Sequence, residues 1–102
     1  VAACQRPLSF EVFMLDKYIS ELCDKYAHYG EFLCQEFADL GKSKVGLDRC
    51  GISMAMRQKI LKGAGVGAAS SAALGKYLGA PPEHYERLYR LFFAEKKRRA
   101  AL

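Results

Sequence analysis

Apolar side chains recur at spacings of three and four through the first third of the chain. Val12, Leu15, Ile19, Leu22, Tyr26 and Tyr29 form one stripe, and Asp16, Lys17, Ser20, Glu21, Asp24 and Lys25 fall on the other side. This is the period of an α-helix, so an amphipathic helix is expected over 9–29, after Pro7 and capped by Ser9. Gly30 reads as punctuation. A second helix is expected over 31–40, with Phe32, Leu33, Phe37 and Leu40 on one side and Gly41 as its stop.

The remaining chain reads in shorter pieces. A segment from Ser43 to Cys50 ends at Gly51, and Ser53 then caps a helix that runs to about Lys62 and closes at Gly63. Gly63 to Gly67 is a glycine-rich loop. Ala68 to Leu78 forms a helix of small residues stopped by Gly79, in which Ala69, Ala72, Ala73 and Leu74 permit close approach of a neighbour. Pro81 and Pro82 open a last helix, expected over 82–99, at positions where a missing N–H does no harm. Its stripe is Tyr85, Leu88, Tyr89 and Phe92, and Glu95 to Arg99 form a charged exit. Strand-like alternation, internal repeats and long linkers are all missing from the sequence, so the expectation is an all-α fold, a single domain over 1–102 built from five to six helices.

Composition changes this picture little. The 102 residues are 51% hydrophobic and 26% charged, with three prolines, which suits a packed domain rather than a disordered chain. Apolar runs fall short of the roughly 18 to 20 residues that span a membrane, and the N-terminal stretch does not read as a signal peptide, so a cytoplasmic, soluble protein without membrane partners is expected. Cys4, Cys23, Cys34 and Cys50 contain no CxxC pair and are read as free thiols.

Charge carries more information than its total. Residues 1–41 hold three basic and seven acidic side chains, a net of −4, and residues 42–102 hold 13 basic and four acidic, a net of +9. One half repels polyanions and the other attracts them. Between Arg49 and Glu83 the sequence contains no acidic residue at all.

Catalytic and metal-binding chemistry finds little support. His28 and His84 join no Ser, Cys or Asp arrangement that the sequence connects, and no cysteine or histidine spacing suits a metal. Gly63, Gly65 and Gly67 follow no strand, and Gly41-Lys42-Ser43 lacks the preceding glycine of a phosphate loop. The expectation is therefore a protein that is not an enzyme and needs no cofactor and no metal.

The informative stretch is Gly51 to Ala80, GISMAMRQKILKGAGVGAASSAALGKYLGA. It resembles the lambda-repressor-like, Xre/Cro-type helix-turn-helix family, whose members read LGIS, a recognition helix, ILKG and a later LALG. The likeness covers about 31–80. It implies that Gly51 makes the turn between two motif helices, that Ser53 caps the second, that Ile52 and Ile60 anchor it in the core and that Gly63 closes it. Three positions depart from the family pattern: Leu47 replaces a small residue, Gly46 interrupts the first motif helix, and Arg57 stands where an apolar side chain turns inward.

What the resemblance implies is sequence-specific binding of duplex DNA by a small transcriptional regulator, a repressor acting as a homodimer, of bacterial, phage or plasmid type. Residues 53–62 would enter the major groove, with Ser53, Met54, Arg57 and Gln58 contacting bases and Lys42, Lys44, Lys59 and Lys62 contacting phosphates. The stripe Val12, Leu15, Ile19, Leu22 and Tyr26 is the candidate dimer or partner surface, with burial against the chain's own last helix as the competing expectation. The alternative function is a helical protein-interaction module, antitoxin-like, adaptor or anti-activator, that binds a protein partner with the same fold.

Overall fold

The computed structural model describes the backbone from Ala2 to Leu102 and the side chains from Met14 onward. Six helical segments follow one another with no strand among the described residues: α1 (Ala2–Lys25), α2 (Tyr29–Asp39), a 3₁₀ helix (Lys44–Cys50), α3 (Met54–Leu61), α4 (Ala68–Leu78) and α5 (His84–Ala100). The all-α expectation holds, and α4 has the bounds expected for it.

The first boundary differs. One helix was expected through 29, but α1 ends at Lys25 and Tyr29 belongs to α2. His28 is the extended residue before α2, and the Glu31 carboxylate reaches back to accept from the Ala27 N–H at 2.6 Å, which satisfies a donor in the turn between α1 and α2. Gly30 is thus helical rather than a break. A Cβ there would run into the Leu61 carbonyl, so its role is to let α2 cross the end of α3. At the other end α1 starts upstream of Ser9, which lies inside the helix instead of capping it.

Leu33, Phe37, Leu47, Ile60 and Leu74 are almost completely buried and bring α2, the 3₁₀ helix, α3 and α4 together. A second part of the core joins Ile19, Leu22 and Cys23 of α1 with Leu88 and Phe92 of α5, and these two helices pack along one another. Tyr29 and Tyr85 lie between the two parts. The Tyr29 hydroxyl donates to the Tyr85 carbonyl at 2.9 Å and the Tyr85 hydroxyl donates to Glu36 Oε2 at 3.2 Å, so neither buried phenol goes without a partner. Burial, reinforced by neighbouring charge, raises both phenols above their ordinary pKa.

The α4–α5 junction depends on one buried hydroxyl. Ser71 is fully buried; its Oγ donates to the Pro82 carbonyl at 2.7 Å and accepts from the Glu86 N–H at 2.9 Å. A side chain of α4 therefore caps the first turn of α5.

Part of the charged exit of α5 is tied to α1. Arg99 donates to Glu95, Asp24 and both the carbonyl and hydroxyl of Ser20, while Lys96 donates to the Cys23 carbonyl at 2.9 Å. Arg98 pairs with Glu95 at 2.6 Å. The Arg99 and Lys96 contacts fasten the end of α5 to α1. Cys23, Cys34 and Cys50 are free thiols, and the buried Cys23 donates weakly to the Phe92 carbonyl.

Candidate nucleic-acid interface

Local chemistry builds the segment that contains the expected site residues. Ser43 opens the 3₁₀ helix, its Oγ accepting from the Val45 N–H at 3.3 Å. Tyr77 of α4 donates its hydroxyl to the Ser43 carbonyl at 2.5 Å. This approach requires Gly46, since a Cβ at that position would overlap the Tyr77 phenol. The chain then turns at Gly51, which takes a left-handed φ of 92° that disfavours any other residue, and the Ile52 N–H just after it donates to the Leu47 carbonyl at 3.4 Å.

Ile52 is buried just after the turn, and Ser53 caps α3 by accepting from the Met56 N–H at 3.2 Å. Ile60 is completely buried and fixes which side of α3 faces inward. With about 100° between successive residues, the opposite side carries Met54, Ala55, Gln58, Lys59 and, at the cap, Lys62, and all five are exposed. Met54 retains 60% of its accessible surface.

Two departures from the family pattern are accounted for by these contacts. Gly46 makes room for Tyr77, and Leu47 fills the core as a fully buried side chain. Arg57, the third, lies beside the inward face, 13% exposed along its side chain, and its guanidinium pairs with Asp48 at 3.0 Å. The ion pair ties α3 to the 3₁₀ helix. Arg57 was grouped with the base-contacting residues, yet it is separated from the outward set of Met54 and Gln58, because its guanidinium points back to the preceding segment.

Of the expected phosphate contacts, Lys42, Lys44, Lys59 and Lys62 are all exposed. Lys42 holds its ammonium 5.5 Å from the centre of the Tyr77 ring. Sequence reasoning missed Arg49, exposed near the end of the 3₁₀ helix, and Ala55 on the outward face of α3. The signal for Arg49 was present, since it begins the stretch free of acidic residues. Val45 and Met56 are exposed as well, at 64% and 42%, and Met56 edges a groove between α3 and α4 that also includes Ile52, Ala69 and Ala73.

The stripe read as a candidate dimer or partner surface is largely occupied. Ile19 and Leu22 are buried in the chain's own core, and Leu15 and Tyr26 pack half-buried against it. The surface of α5 takes up that stripe, as the competing expectation had it, because Leu88 and Phe92 offer an apolar face of matching period. The side chain of Val12 lies outside the described residues.

His28 sits under Gly63 with its Nδ1 buried and unpartnered, and His84 begins α5 edge-on to the Tyr85 ring. Among the described residues no group of three or more His, Cys, Asp or Glu side chains is placed to hold a metal ion, and no helix is long and apolar enough to cross a membrane. No protein-family model, curated protein or solved structure matches the chain.

Proposed function

We propose that this chain binds duplex DNA sequence-specifically as a small helix-turn-helix transcriptional regulator, a repressor acting as a homodimer, with α3 in the major groove. The observation that carries this reading is the outward side of α3. A serine-capped helix presents Gln58, Lys59 and Lys62 to solvent, in a stretch without an acidic residue between Asp48 and Glu83, and Lys42 and Lys44 are exposed before and at the start of the preceding 3₁₀ helix. An α-helix fits the major groove of B-DNA, amide and ammonium groups suit base edges and phosphates, and the acidic residues of α1 and α2 would be repelled by the backbone.

A rival reading has its own support. Val45, Met54 and Met56 are exposed apolar side chains of the 3₁₀ helix and α3, and exposed apolar surface of this kind also suits a helical protein partner.

The experiment is selection of bound sequences from random duplexes at moderate salt, with the mass of the protein in solution measured alongside. The expected result is an enriched inverted repeat whose half-sites lie about one helical turn apart, together with a dimer. Failure to enrich any sequence would refute the proposal and favour the protein-interaction reading.

A further inference from the structure

We propose that α3 reads A·T base pairs, with Met54 and Ala55 packing on thymine methyls and Gln58 pairing with adenine, and that Arg57 takes no part in base readout. This inference rests on the DNA-binding reading above and specifies the class of sequence it recognises.

The argument starts from which side chains the first turns of α3 present. In helix-turn-helix docking the N-terminal residues of the recognition helix reach the base edges, and residues further along approach the backbone. Here the exposed residues on the outward side of those turns are Ser53, Met54, Ala55 and Gln58, while Met56, also exposed, lies on the other side of the helix at the groove with α4. Ser53 already uses its oxygen to cap the Met56 N–H. Met54 and Ala55 are apolar, and the apolar group that a base pair offers in the major groove is the thymine 5-methyl. Gln58 stands one turn after Met54 on the same side, and its amide matches the N6 donor and N7 acceptor of adenine.

The strongest guanine reader in the helix is withdrawn. Arg57 could bind guanine O6 and N7 through two N–H groups, but its guanidinium is bound to Asp48 and its side chain is only 13% exposed. Reaching a base would mean breaking that pair and leaving Asp48 uncompensated next to a polyanion. The sequence alone favours Arg57 as a reader, because arginine is the commonest specific contact. Its neighbours in the fold remove it.

The test uses the wild-type protein first and modified DNA. Each thymine of the selected half-site is replaced in turn by uracil, which removes the methyl and keeps the hydrogen-bonding edge. Each guanine is replaced by 7-deazaguanine, which removes the N7 acceptor. One or two uracil positions should weaken binding about fourfold, the effect of losing one buried methyl, and no 7-deazaguanine position should matter. Met54→Ala should abolish one of the uracil effects, and Gln58→Ala should lower the preference for adenine at one position about tenfold, in variants shown by circular dichroism to be folded.

A guanine whose 7-deaza form weakens binding, at a position where Arg57→Ala relaxes the preference, would overturn this inference and leave DNA binding standing. Uracil substitutions without effect at every position would overturn it too. Absence of any enriched duplex would overturn both readings together.

Discussion

The salt dependence of duplex binding follows from the number of cations on the proposed face. Lys42 and Lys44 before and at the start of the 3₁₀ helix and Lys59 and Lys62 toward the end of α3 are all exposed, and the proposed docking has each meet one phosphate, four contacts per half-site. Each neutralised phosphate of B-DNA releases about 0.9 of a counterion, which gives a slope of about −3.6 in log K against log salt. Raising salt from about 50 to about 200 mM should then weaken one protomer's binding about 150-fold. The double variant Lys59→Ala, Lys62→Ala removes two contacts, so the slope should fall to about −1.8 and the same salt step should cost about 12-fold. Both lysines are solvent-exposed surface residues, and their removal should leave folding within about 0.5 kcal/mol of wild type. Fluorescence anisotropy of a labelled duplex carrying a single half-site, over a salt series, measures both slopes. A wild-type slope shallower than about −1, or one that the double variant leaves unchanged, would refute the placement of this face on the DNA backbone.

Three further outcomes test the fold that presents this face. Ser71→Ala leaves the Glu86 N–H and the Pro82 carbonyl without their partner. It should cost about 2 kcal/mol or more and lower the urea midpoint with no change in m, whereas Ser70→Ala next to it should stay within about 0.5 kcal/mol. Helix propensity alone would make Gly30→Ala stabilising by about 1 kcal/mol, but its Cβ meets the Leu61 backbone, so a loss of about 2 kcal/mol is expected in thermal unfolding; a gain would disprove the close crossing of α2 and α3. Hydrogen bonds from Arg98 and then Arg99 hold the Glu95 carboxyl at about 2. Because that pKa is depressed on folding, the contribution is present above the ordinary carboxylate value and lost as pH falls through about 2. The melting temperatures of wild type and Glu95→Gln should therefore differ near neutral pH and converge in acid, and a gap independent of pH would contradict the role of the carboxylate.

The features legible in the sequence are those that adjacent residues settle between themselves. Ser53 caps α3 because its hydroxyl reaches an N–H three residues on, and Gly51 turns because a residue without a Cβ tolerates a left-handed φ. The bounds of α4, set by the glycines on either side of it, and the outward spacing of Met54, Gln58 and Lys62 follow from the same local rules. The apolar period also showed that α1 has a buried side. It did not settle what covers that side, since a stripe of that kind fits the chain's own α5, the plainer expectation, and also a second copy.

Tertiary structure decided the rest, through contacts between residues far apart in the chain. Arg57 reads as a base contact by residue type, and the nearby carboxylate of Asp48 turns it inward. Gly30 has the look of a helix stop, and only the crossing of α3 reveals it as a point of close approach. Ser70 and Ser71 are indistinguishable as a pair of letters, but the angle of α4 against α5 buries one and gives its hydroxyl two backbone partners. The basic end of α5 could have been free for phosphates, yet Arg99 is bound to Asp24 and Ser20 of α1. Periodicity and capping report the conformation of a segment from its own residues. The partner of each side chain depends on where helices cross, which is set by packing of the whole core.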